Sequence, residues 1–388
     1  MKKKVLIVFK YSHGLNNQVI KKFSNYYETE SLYINDLKNI NFEGIISKIN
    51  DLIKSKNIQI VVFDVDYFKF INLFFIERIN CEKKVLWTGD DFELHAINSI
   101  TASSCDLVLS TCPLSVLKYK EKGYEALMTH GENGQIRDNK DQTKEIDVLF
   151  FGALTPDRND ILNYISSKGI ALKNVGHQEG SSGISDNDLN KLISKSKIIL
   201  NLSKTRTASV GSFTSEKIYK FYYQTKGRII LSGMHGVLCV SEYSPFQDLL
   251  FNNDEVPTFF SKEECVRILN QLLNDNDLLM RSTNKFTLKT RELFEDKKSF
   301  KLIYEAIERT ENRKVKLIKI PYWYLRIASK QILLRNIKLS NLMKTIPQFK
   351  IIFKILKNSN LLVKLFVIFE SIINVLWYSI VLTVKSKK

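Results

Sequence analysis

The chain has 388 residues, of which 44% are hydrophobic and 26% charged, and a net charge of +17. That balance excludes a disordered polyelectrolyte and leaves room for two ordinary α/β domains and an appendage. Five cysteines, at 81, 105, 112, 239 and 265, form no C-x-x-C pair and no Cys/His cluster. They read as free thiols of a reducing compartment, with no structural zinc.

In chain order, "MKKKVLIVF" opens like a signal peptide, but its apolar run is too short and polar "KYSHGLNNQ" follows, so it reads as a first strand. Strands are predicted at 4–9, 31–34, 58–63, 84–88, 107–110 and 125–129, with helix-length patterns between them at 15–27, 43–56 and 113–122. The polar stretch 130–145 has no periodicity and serves as a linker. A second series follows: strand 147–151, helix 158–168, strand 170–175, helix 186–195, strand 197–202, helix 215–225 and strand 228–231, closed by helices at 261–274, 277–294 and 299–310. Strands alternating with helices imply α/β lobes with parallel sheets. Two such lobes, 1–135 and 146–311, make a pair of Rossmann-like domains facing a cleft, followed by a segment 312–388 of different character.

That segment holds sixteen Lys or Arg and one acid, Glu370, so +15 of the net charge lies there and the body is nearly neutral. An even spread would have pointed to nucleic acid; this asymmetry points to a tail with its own anionic partner. Lys350, Lys354, Lys357 and Lys364 fall on one helical face, with Ile, Phe and Leu opposite. The pattern is that of a basic amphipathic helix lying on an anionic membrane. Residues 365–384 reach spanning length, yet Glu370, Asn374 and two serines favour an in-plane or hairpin association. Packing of the tail on the body is the alternative. Apolar residues outnumber polar ones throughout the tail, which fits lipid better than nucleic acid. Trp323 and Trp377 read as interfacial anchors, and Trp87 as core.

Three stretches together resemble a known family. "VLWTGDDFELHAINSITASSCDLVLSTCPLSVLKYKEKGYEAL" (85–127) resembles the N-terminal half of bacterial GT-B glycosyltransferases of the group-1, spore-maturation-protein (CgeB)-like branch. "DVLFFGALTPDRNDILNYISSKGI" (147–170) resembles the first strand, Gly loop and helix of their C-terminal half, and "ISDNDLNKLISKSKIILNLSKT" (184–205) their following helix and strand. The resemblance implies a metal-independent, retaining transfer of sugar from a nucleotide-sugar, with no cofactor. A departure falls in "EKIYKF" (216–221): Lys217 stands for the family's Arg, Tyr219 for its aromatic, and Lys220 where a Glu is expected to hold the donor ribose, with Glu216 one turn away. This leaves open a non-catalytic nucleotide- or glycan-binding relative.

Ligands of open α/β sheets bind beyond the carboxyl ends of strands, which selects the candidates. On the donor side these are Gly152 and Arg158, then Lys204, Arg206, Ser215, Lys217, Tyr219 and Lys220, and His235 in "SGMHGV". Gly152 lets backbone N–H groups approach a diphosphate at a helix N-terminus, and Arg158 is placed for a bidentate contact. On the acceptor side, His13 and Gly14 follow strand 1, and Asp90 and Asp91 follow strand 4. Asp90, Asp91 and His13 are the candidates for positioning or deprotonating an acceptor hydroxyl, although Asp91 also stands where a helix N-cap falls. Asp64-Val65-Asp66 has the D-x-D form that binds metal in a single-domain class of transferase. Two isolated carboxylates are few for a hard cation, so Asp64 and Asp66 read as strand-end polarity with an acceptor contact, and no metal ligand is assigned. The expected partners are a nucleotide-sugar donor, a lipid-linked or surface-glycan acceptor, and the inner face of the plasma membrane.

Overall fold

The computed structural model describes residues 2–10, 14–37, 40–65, 70–89, 91–129, 135–137, 143–177, 184–204, 223–244, 247–311, 320–334, 350–353, 356 and 361–385. The first lobe runs β1 (Lys4–Phe9), α1 (Gly14–Ser24), β2 (Glu28–Tyr33), α2 (Phe42–Lys56), β3 (Ile60–Asp64), α3 (Leu73–Ile76), β4 (Lys83–Thr88), α4 (Asp91–Thr101), β5 (Leu107–Ser110), α5 (Pro113–Glu121) and β6 (Glu125–Met128). Its six strands are all parallel, in the order β2-β1-β3-β4-β5-β6.

Successive strand residues point to opposite faces, so one apolar run feeds two cores. Leu6, Val8, Val61, Phe63, Leu86 and Val108 enter one core with α2 and α5. Val5, Ile7, Val62, Val85, Trp87 and Leu109 enter the other. Sequence reasoning began β2 three residues late because its first half is polar. It is an edge strand, paired with β1 from Lys4 opposite Glu28, and the two side chains form an ion pair at 3.1 Å.

The second lobe runs β7 (Ile146–Phe150), α6 (Pro156–Ser167), β8 (Leu172–Asn174), α7 (Asp186–Ser194), β9 (Ser196–Asn201), α8 (Gly227–Met234), β10 (Leu238–Glu242), β11 (Thr258–Phe259), α9 (Lys262–Asn274), α10 (Asn276–Phe294) and α11 (Asp296–Arg309). Its sheet is parallel, in the order β11-β10-β9-β7-β8. The strand expected at 228–231 is the helix α8, and the strand follows at Leu238–Glu242. A four-residue apolar run carries no period that separates strand from helix. Here Ile229, Ile230 and Met234 are buried together with α10 residues, as one face of a helix.

α11 does not stay with the second lobe. Phe300, Ile303, Ala306 and Ile307 cover the first sheet's second core, where Phe300 meets Phe23 edge-on at 5.4 Å. Glu308 pairs with Lys3 and accepts from the Tyr27 hydroxyl.

Part of the basic segment also packs on the first lobe. In α12 (Tyr322–Leu334), Tyr324 and Leu325 are buried against Leu73, Phe74, Ile97 and Ile100. The Tyr324 hydroxyl accepts the Leu73 N–H at 2.8 Å and lies 3.0 Å from Thr101 Oγ1. Trp323, read as an interfacial anchor, is half-buried against Tyr324. Trp87 is core, as expected. The side chain of Trp377 lies outside the described residues. A last helix, Leu361–Lys385, packs on α12. Among the described residues, no helix is long and apolar enough to cross a membrane.

Candidate functional site

The second sheet has its topological switch between β7 and β9: the chain leaves β7 toward β8 on one side and returns to β9 on the other. The loops leaving β7 and β9 therefore diverge and open a crevice at the carboxyl edge. Gly152, just beyond β7, has φ +118°. A Cβ there would lie 2.4 Å from Arg228 Nη2. Only glycine accepts this backbone without strain while letting a guanidinium lie against it. α6 starts four residues later, with Thr155 as N-cap and Pro156 in the first turn, so its N-terminal amides and dipole point at the same loop.

Gly152→Ala is expected to cost about 1–3 kcal/mol from the backbone conformation and to displace Arg228. Urea denaturation measures the first. Unchanged stability would mean the loop relaxes freely.

Arg228, on α8, was hidden from sequence reasoning inside the misread strand. Its guanidinium stacks over Phe150 and Phe151, 5.0 and 5.3 Å from the ring centroids, and Nη1 donates to Asn201 Oδ1 at 3.0 Å. Burial and then the charge of Arg158 pull its pKa down to about 9. Arg158 is itself buried, and its guanidinium donates to the carbonyl oxygens of Ala153 (2.6 Å), Lys204 (3.0 Å) and Leu202 (3.4 Å). Sequence reasoning gave Arg158 a direct bidentate contact. Its nitrogens instead tie the β7 and β9 loops together, and its charge is felt at Arg228.

Glu242 at the end of β10 is the other residue sequence reasoning missed. Its Oε2 accepts the backbone N–H groups of Ser203 (2.7 Å) and Lys204 (2.9 Å). Burial pushes its pKa up, against those bonds and the charges of Arg158 and Lys204. Lys204 Nζ is 2.6 Å from Asp157, which raises the lysine's pKa. Lys204 also forms an isolated antiparallel bridge with Tyr223, at the other end of the stretch 205–222. Arg206, Ser215, Lys217, Tyr219 and Lys220 lie in that stretch, outside the described residues.

His235 is not brought to the crevice. It caps the C-terminal end of α8, before β10, and so sits at the amino edge of the sheet. Its ring bonds Ser194 Oγ (3.1 Å) and Asn190 Oδ1 (3.2 Å), and burial, with Arg137 and Lys144 adding, pulls its pKa down to about 4. A neutral imidazole pinning α8 to α7 explains these contacts.

In the first lobe the switch lies between β1 and β3. Gly14 opens α1 just after β1, and Asp64 ends β3, both at the carboxyl edge. His13, Asp66 and Asp90 lie outside the described residues. Asp91 follows β4, but its carboxylate turns into the lobe and is 0% exposed. Oδ1 accepts from Asn98 Nδ2 (2.8 Å) and the Tyr119 hydroxyl (3.0 Å), and Oδ2 from Ser110 Oγ (2.9 Å), with His95 Nδ1 at 3.8 Å. Burial pushes its pKa upward, and His95, Asn98 and Ser110 more than offset that, leaving it below the usual carboxylate value. This arrangement ties α4, β5 and α5 together and exposes no oxygen to an acceptor.

No protein-family model matches the chain, and no curated protein matches it in sequence. Solved structures do match in fold. HepE from Anabaena, in complex with UDP and glucose, is 10% identical with a TM-score of 0.54, covering 79% of this chain and 99% of its own. An α-glucosyltransferase in complex with UDP-glucose and DNA containing an abasic site is 12% identical with a TM-score of 0.53, covering 80% and 100%. A putative UDP-N-acetylglucosamine 2-epimerase from Listeria monocytogenes is 10% identical with a TM-score of 0.51, covering 82% and 100%. At these identities the likeness is one of fold. With two parallel, doubly wound lobes and a switch-point crevice in each, the chain has the GT-B fold.

Proposed function

We propose that the protein is a glycosyltransferase that moves a sugar from a nucleotide-sugar to a lipid-linked or surface-glycan acceptor, without a metal and with retention of configuration. The observation that carries this reading is the pair of guanidiniums at the Gly152 crevice. Charge builds on the diphosphate as the glycosidic bond breaks, and preorganised donors lower that barrier. Arg228 presents a cation beside the Gly152 backbone and the α6 N-terminus. Arg158 ties the flanking loops together and adds positive potential. Burial and Arg158 penalise the Arg228 charge, and a diphosphate offsets that penalty. These cations take the role on the leaving group that a metal ion takes elsewhere.

The solved neighbours that hold UDP, UDP-glucose or UDP and glucose support a nucleotide-sugar donor; its place in the second lobe rests on the Gly152 crevice. The acceptor is assigned to the first lobe, at the strand ends that carry Gly14 and Asp64. Retention and membership of the spore-maturation-protein-like branch rest on the resemblance of 85–127, 147–170 and 184–205.

The test is a calorimetric screen of nucleoside diphosphates and nucleotide-sugars, with and without EDTA. One nucleoside diphosphate should bind with micromolar affinity regardless of EDTA, and its sugar conjugate should lose the sugar to an added acceptor. Binding that requires a divalent ion would overturn metal independence. Epimerisation of the free donor, without transfer, would replace the reaction while keeping the site.

A further inference from the structure

The last helix is apolar on two sides. Its inner side places Val363, Val367 and Ile368 in the cluster formed by α12, α3 and α4. Its outer side carries Leu361, Leu362, Leu365, Phe366, Phe369 and the Ile372–Ile373 pair, each 43–71% exposed. Positions 361, 365, 369 and 373 recur every fourth residue, with 362 and 366 beside them, so they form one continuous stripe. Seven of the seventeen large hydrophobic side chains exposed among the described residues lie on it. An apolar stripe of that size on a helix already buried on its other side calls for a second cover.

Charge selects the cover. The segment 312–388 carries sixteen Lys or Arg and a single acid. That acid, Glu370, lies on this helix and is paired with Arg326 of α12, so it adds no uncompensated negative charge. Two copies meeting through this face would press two strongly basic segments together. An anionic lipid surface would instead be attracted by that net positive charge.

We propose that this stripe lies flat in the interfacial layer of an anionic phospholipid bilayer. The helix packs on α12, which the Tyr324 hydroxyl holds to the body by bonding the Leu73 N–H and Thr101. Leu73 opens α3, the next element after β3 and its terminal Asp64. The lipid-facing helix therefore shares a core with α3, the helix that follows β3 in the first lobe. On the glycosyltransferase reading, that places a membrane-embedded acceptor beside the acceptor lobe. The lipid contact itself stands without that reading.

Flotation of the full chain with vesicles tests it. Wild type should float with phosphatidylglycerol–phosphatidylcholine vesicles and much less with pure phosphatidylcholine or at high salt. Phe366→Glu with Phe369→Glu places charge on the outer side only. It should cut partitioning at least tenfold while nucleoside-diphosphate binding and the melting temperature stay at wild-type values. Leu361→Glu with Leu365→Glu repeats the test at the other end, and Leu249→Glu, exposed elsewhere, should float as wild type does. Undiminished flotation of both double variants would overturn the proposal. So would a lipid-independent dimer in sedimentation velocity that the same variants dissociate, since the stripe would then be an interface between copies.

Discussion

Asp91→Ala is expected to destabilise the first lobe by about 3–5 kcal/mol, the range for breaking a buried charged network by removing one member. The substitution strands three donors, from Asn98, Ser110 and Tyr119, which the carboxylate now satisfies. For a lobe of this size the melting temperature should fall by roughly 10 °C. Asp91→Asn keeps an acceptor at Oδ1 and should lose much less.

The pH dependence has a definite sign. The folded pKa of Asp91 lies below its ordinary value, so the unfolded chain takes up the proton first as pH falls. The stabilisation is complete above about pH 4–5 and is lost as pH drops through the folded value. Calorimetric scans between pH 3 and 7 measure it: wild type should lose more stability over that range than Asp91→Asn. Activity abolished at an unchanged melting temperature would instead return Asp91 to the chemistry.

The second large effect is expected at Arg228. Arg228→Ala should weaken nucleoside-diphosphate binding by about 10- to 100-fold, the worth of a hydrogen bond to a charged group. The same substitution should leave thermal stability unchanged or raised. Burial and Arg158 hold the Arg228 pKa near 9, so the folded lobe is penalised for that charge at neutral pH. The penalty is in full force below about pH 9 and is relieved as pH rises toward the ordinary arginine value. Binding and stability should thus move in opposite directions, which isothermal titration and thermal melts on one variant determine. Arg228→Lys keeps a charge but not the planar fork, and should recover part of the affinity. A drop in melting temperature with unchanged affinity would reduce Arg228 to a packing element on Phe150 and Phe151.

The two-lobe architecture was legible because a parallel sheet covered on both faces writes its strands as short apolar runs. Such runs at 4–9, 107–110 and 197–202 are hard to mistake. The turn at Gly152 was legible for a related reason: a glycine directly after such a run and before a Thr-Pro helix start marks a tight strand-to-helix turn. Arg228 and Glu242 were not, and the cause is specific. Reading "RIIL" as a strand put Arg228 on the wrong element and moved the strand end that carries Glu242 out of view. The same error brought His235 to the crevice, when it lies at the opposite edge.

Asp91 shows a different limit. A carboxylate after a strand looks the same in sequence whether it faces a ligand or turns inward. What sent it inward was Asn98, Ser110 and Tyr119, seven, nineteen and twenty-eight residues away. The basic segment was read from its charge and its helical pattern as a membrane-associating tail. Its docking through Tyr324 depends on partners more than two hundred residues upstream, beyond any local pattern.

The return of α11 to the first lobe bears on how the chain is made. Val5, Ile7, Val62, Val85 and Trp87 leave the ribosome early, yet the residues that roof them, Phe300 to Ile307, are synthesised about two hundred to three hundred positions later. During that interval the part of that face not covered by Val19, Phe23 and Tyr27 is bare, and a nascent chain in that state is prone to stick to others or to engage a chaperone. The first lobe therefore cannot mature on its own schedule. Its completion waits for the second lobe to be translated, and a fragment cut before Asp296 inherits the unroofed face permanently.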